Sequence, residues 1–156
     1  MSLFSAASGR QINIGLTVLR IITGVIFMAH GSQKIFGMGF DGVAGGFAQM
    51  GIPMAEILGP FVALLEFFGG FALIAGLLTR LTAFGLGSTM VVAILQVHLA
   101  NGLTGQGGFE FPLSLLGATF LLALTGAGQW SVDRLIGARR VPAPAVKAVR
   151  ELKRAA

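Results

Sequence analysis

The sequence predicts an all-α polytopic membrane protein, a bundle of four transmembrane helices with a short interfacial helix between the first two. Three observations carry that prediction. The 156 residues are 54% hydrophobic and only 11% charged, with a mean hydropathy of +0.85. A soluble domain of this size has about 25% charged residues, so there are too few charges here to coat a water-facing surface. The apolar residues fall into four runs of spanning length. Glycine is abundant, at 24 residues without a collagen period, as suits membrane helices that pack through small residues.

A spanning helix needs about 20 mostly apolar residues. The first is expected at about 12–31, ending on the polar His30, Gln33 and Lys34. Arg10 followed by an apolar stretch resembles a secretory leader, but the run is longer than a leader core and contains Arg20, so it reads as a retained helix. Between 37 and 53, Phe40, Val43, Ala44, Phe47 and Met50 recur at helical spacing, which predicts the interfacial helix; a Gly-rich loop is the alternative. The second span is expected at 55–78 with Pro60 in its first turns, the third at 81–99, and the fourth at 111–126, opened by Pro112. A breaker-rich loop, Asn101 to Gly108, separates the last two. Residues 1–133 are expected to form the membrane domain and 134–156 a basic tail, either a surface helix from about Ala145 or a disordered stretch.

The net charge of +5 comes largely from that tail: Arg134, Arg139, Arg140, Lys147, Arg150, Lys153 and Arg154. Basic residues directly after an apolar run point to an anionic lipid surface rather than nucleic acid. Placing both termini in the cytoplasm puts Arg10, Arg80 and the tail inside and leaves only Lys34 outside, as the positive-inside rule requires. The expected location is a bacterial inner membrane. No cysteine is present, which removes thiol–disulfide chemistry, Fe–S ligation by cysteine and cysteine zinc sites from this chain. No internal repeat suggests a transporter built from two halves.

Arg20 and Glu66 are the charged residues deepest in apolar runs, where each costs about 2.5–3.5 kcal/mol on insertion scales. Counting from the inner helix ends places them a few ångströms apart in depth, so they are expected to pair, either as a ligand-handling centre or as a clamp on helix register. His30, Lys34, Gln96, His98 and Glu110 gather at the outer end. Two stripes, Gly85 with Thr89 and Gln96, and Ser114 with Ala118 and Thr125, are expected to face a common axis and shape a pocket. The bland alternative is that they glue helices and solvate their ends. Bis-histidine haem through His30 and His98, or a metal recruiting Glu110, is disfavoured by the thin ligand set. The glycine pairs at 85–87 and 126–128 lack the strand context of a dinucleotide site.

Assembled in order, these segments resemble the DoxX family of small four-helix bacterial membrane proteins. The resemblance rests on Leu19-Arg20-Ile21 with Phe27-Met28-Ala29-His30-Gly31-Ser32-Gln33-Lys34, on Glu66-Phe67-Phe68-Gly69-Gly70 with Gly76-Leu77-Leu78-Thr79-Arg80, on Val97-His98-Leu99-Ala100-Asn101-Gly102, and on Gly107-Gly108-Phe109-Glu110-Phe111-Pro112 followed by Gly126-Ala127-Gly128-Gln129-Trp130-Ser131-Val132-Asp133. It runs from about Val18 to Asp133. Related DoxD proteins are similar to a subunit of a membrane thiosulfate:quinone oxidoreductase, so the resemblance implies a quinone-interacting accessory subunit beside other membrane subunits. A non-catalytic assembly subunit and a small-solute or proton pathway are the alternatives.

Overall fold

The computed structural model describes residues 6–139. Among them every regular element is helical: α1 Gly9–Ser32, α2 Gly39–Gln49, α3 Ala55–Ala75, α4 Thr79–Ala93, α5 Glu110–Thr125 and α6 Val132–Arg139. The helix expected from Ala145 lies outside the described residues.

Each boundary has a local cause. Ser8 and Gln11 close a reciprocal capping box that starts α1, satisfying two backbone donors that the first turn leaves free. Gln33–Met38 continue α1 as a wider π-helical turn, and Gly39, at φ +72°, redirects the chain into α2. Gly76, also left-handed at φ +70°, ends α3. There the Leu77 amide donates to the Ala72 carbonyl at 2.9 Å and the Gly76 amide to that of Leu73 at 3.1 Å, the paired bonds of a Schellman terminus. This stops α3 three residues before the expected Leu78. Pro60 sits inside α3, where its ring removes one intrahelical bond. α4 likewise passes into a π-helical turn, Ile94–His98, before a short 3-10 turn at Leu99–Asn101.

Close packing uses the glycines. A Cβ on Gly70 would stand 2.5 Å from the Met28 nitrogen, and one on Gly24 would stand 2.7 Å from the Gly70 carbonyl. Only a residue without a side chain lets α1 and α3 approach this way. α4 and α5 meet around Leu86, Met90, Leu115 and Leu122, which join Phe27, Leu73 and Ala83 in the core. α2 lies on α3, with Val43 buried and Gly59 against Ala44.

The outer surface is the reverse of a soluble protein's. Phe36, Phe84, Leu81 and Ile57 are all at least 67% exposed. Three helical stretches, Gly9–Gln49, Ala55–Ala75 and Thr79–Asn101, are long and apolar enough to cross a membrane, and the apolar α5 is shorter. A chain that turns such faces outward has lipid as its solvent: this is an all-helical membrane protein.

Candidate functional site

Two polar centres occupy opposite ends of the bundle. The first is built on the α3 terminus. A helix ends with carbonyls that lack partners, and the Schellman bonds at Gly76 leave the Ile74 carbonyl free. Arg20, on α1 and 2% exposed, reaches this point. Its Nη1 donates to the carbonyls of Leu73 and Ile74 at 2.6 Å each, and Nη2 donates to that of Trp130 at 2.8 Å. A cation at a helix C-terminus also meets the negative end of its dipole. Asp133 does the converse for α4: its carboxylate accepts from the Leu78 and Thr79 amides at 2.7 and 2.9 Å, while its own amide donates to the Gly76 carbonyl. Asp133 also acts electrostatically on Arg20. Asn13 completes the arrangement by accepting from the Gln129 amide at 2.8 Å.

The expected pairing of Arg20 with Glu66 is therefore incorrect. Arg20 is at the level of Leu73 and Ile74, whereas Glu66 is about two helical turns, or ~10 Å, further along α3. Glu66 instead forms an ion pair with Lys34. Lys34 lies on the π-helical turn after α1, where the wider backbone alters which side chains face α3. The Glu66 side chain is 3% exposed and that of Lys34 24%, so the carboxylate is deep and the amine sits nearer the edge. A group of rings lies on the same stretch of α3. Phe67, next to Glu66, meets Phe36, Phe68 and Phe71 edge-on at centroid distances of 5.2–5.8 Å. Phe36, Phe68 and Phe71 are themselves exposed on the lipid-facing side.

The remaining predicted residues are spread around this end. His30 is exposed and its ring tilts against Phe111 at 5.8 Å. His98 pairs through Nδ1 with the Gly107 carbonyl at 2.7 Å, which also accepts from Asn101, so His98 anchors the connecting loop. Gln96 and Glu110 are exposed. No group of three His, Cys, Asp or Glu residues able to hold a metal converges among the described residues. The expected polar stripes do not form a lined axis: Thr89, Ser114 and Thr125 donate their hydroxyls to carbonyls of their own helices, and Gln96, Ser114 and Thr125 face outward. Back-bonding of this kind is how hydroxyls are satisfied where water is absent.

Sequence reasoning passed over Asp133, Asn13 and the partner of Lys34. For Asp133 a signal was present, an acid closely following a Gly-rich break, but its target helix lies more than fifty positions earlier.

The comparisons agree with this architecture. The DoxX family profile matches residues 15–99. The chain is 38% identical over 126 residues to inner membrane protein YqjF of Escherichia coli, covering 80% of this chain and 93% of that one. It is 32% identical over 127 residues to the Bacillus subtilis protein named "Putative oxidoreductase CatD", covering 81% and 90%. It is 30% identical over 125 residues to inner membrane protein YphA of E. coli, covering 76% and 88%. No solved structure matches the chain. A helical membrane bundle with this coverage defines the class, and the chain belongs to the DoxX family.

Proposed function

We propose that this chain is a quinone-interacting accessory subunit of an oxidoreductase complex in the bacterial inner membrane. The observation that carries the reading is the Lys34–Glu66 ion pair, which joins the π-helical turn after α1 to α3, two residues from Phe36 and one from Phe67, whose rings meet edge-on. Quinones travel in the bilayer, so a site reached from its side suits them. There the Lys34 ammonium donates a hydrogen bond to a quinone oxygen, the Phe36 and Phe67 rings contact the quinone ring, and Glu66 exchanges protons with it. Reduction to the quinol takes two electrons, from a partner subunit bearing its own redox group, and two protons, passed one at a time by Glu66, which regains each from the water at the Lys34 edge of the pair. The relative named as an oxidoreductase supports the direction of this reading. The same proposal takes α1, α3, α4 and α5 as the four spans, α2 as a helix in the interface, and both termini as cytoplasmic. α5 is 16 residues, about 24 Å at ~1.5 Å per residue, and a span this short is met by local thinning of the bilayer around it.

The test is mild-detergent purification of the native complex, followed by quinone extraction. The wild-type complex should carry stoichiometric quinone. The neutral pair Lys34→Gln with Glu66→Gln should lose it while keeping the partner subunits. A wild-type complex that holds its partners without quinone would make the chain an assembly subunit, and solute uptake by the purified chain in liposomes would make it a pathway.

A further inference from the structure

At the Arg80 end of the bundle, the turn between α3 and α4, the end of α5 and the start of α6 line an open cleft of about 620 Å³. Its lining includes Arg80, Arg134, Thr79, Asn13 and Asp133. Neither guanidinium has a hydrogen-bond or ion-pair partner among the described residues. Asp133 brings a single negative charge to the lining, with its oxygens turned to the amides of Leu78 and Thr79, so it offsets only one of the two guanidiniums. Arg20, buried behind the same turn, adds a further positive charge. The cleft is therefore a cationic concavity.

An independent observation comes from Thr79. Its side chain is wholly buried, it lines the cleft, and its hydroxyl has no partner among the described residues. A buried hydroxyl without a partner costs free energy, and a small shift of the cleft wall would let it donate to an acceptor bound there. The rim is of the opposite character. Leu78 and Leu81 are 60% and 68% exposed, and Trp130 nearby is 54% exposed, the side chain that membrane proteins concentrate at the headgroup level. A soluble anion would use the arginines and have nothing to gain from the leucines. An occupant with an anionic head and an apolar tail uses both.

We propose that this cleft binds the phosphate of an anionic phospholipid, with the headgroup between Arg80 and Arg134 and an acyl chain along Leu78 and Leu81. Basic pockets between membrane helices hold lipid headgroups in this manner. The bound lipid would brace the α3–α4 turn that Arg20 and Asp133 already cap.

Lipid retention on the full-length chain, read by native mass spectrometry after exchange into defined micelles, tests the proposal. Phosphatidylglycerol should be retained in preference to phosphatidylcholine. Arg80→Gln and Arg134→Gln should each weaken that retention about fivefold, the weight of one basic residue near a lipid surface. Arg10→Gln, an exposed charge outside the cleft, should change nothing; an equal loss there would assign the effect to general surface charge and overturn the site. Glycerol 3-phosphate should fail to displace the lipid at millimolar concentration, and displacement would mean a soluble phosphate site instead. If the glutamine variants do not fold, the wild type still decides, because equal retention of the two lipids refutes the proposal.

Discussion

Replacing Lys34 and Glu66 separately and together should give strongly unequal costs. Lys34→Met leaves the Glu66 carboxylate, with its side chain 3% exposed, without its counter-charge. Stranding a buried ion of this kind typically costs about 3–5 kcal/mol. Glu66→Leu strands an amine that is 24% exposed on a long flexible stem near the end of the helix. That amine can move toward the headgroups, so the cost should be smaller, at about 1–2 kcal/mol. The double change replaces both charges with side chains suited to the surrounding apolar packing, and should cost no more than about 2 kcal/mol. Additivity would demand roughly 4–7 kcal/mol, so the coupling should exceed about 2 kcal/mol. The assay is reversible unfolding in mixed detergent–dodecyl sulfate micelles, followed by Trp130 fluorescence. A parallel cycle between Arg20→Met and Glu66→Leu should be additive within about 0.5 kcal/mol, since the two are not partners. Coupling in the Arg20 cycle and additivity in the Lys34 cycle would refute the arrangement described above.

Arg20→Met should lower stability by about 3–5 kcal/mol in the same assay, because three charged hydrogen bonds to carbonyls vanish together. Arg20→Lys should recover only part, since a point charge cannot match the fork that spans the α3 end and the Trp130 carbonyl. Gly70→Ala should cost at least about 1–3 kcal/mol, as the new methyl meets the Met28 backbone rather than a flexible side chain. Equal melting of this variant and the wild type would show that α1 and α3 can separate freely. For topology, single cysteines at Thr104 and Gly137 suffice, because the chain contains no native cysteine to compete. An impermeant thiol reagent applied to intact cells should label position 104 and spare position 137, and the reverse pattern overturns the orientation.

The membrane class and the approximate helices were legible because they depend on composition and run length, which are local properties. Gly24, Gly31 and Gly70 could be read as a tendency to close packing, but not as the register they impose between α1 and α3. That register decided the fate of Arg20. Counting residues from assumed helix ends put Arg20 level with Glu66. The real α3 ends at Gly76, and its last carbonyls offered the guanidinium a nearer set of acceptors. Every helix C-terminus presents such oxygens whatever its side chains, so no residue identity announces them. The partner of Lys34 was hidden for another reason. A regular helix would set the lysine's direction from the 3.6 period, and the π-helical turn at Gln33–Met38 breaks that period. His30, Lys34, Gln96, His98 and Glu110 were grouped in the sequence only by lying near helix ends, and their individual contacts, such as that of His98 with the Gly107 carbonyl, were not legible.

The grip of Arg20 on main-chain oxygens has an evolutionary consequence. Substitutions at Leu73, Ile74 or Trp130 leave the carbonyls in place, so those positions can drift without any compensating change at position 20. Methods that infer proximity from correlated substitution should find no partner for this arginine, although it ties together three segments of the bundle. Lys34 and Glu66 touch through side chains and should leave the covarying trace that Arg20 does not.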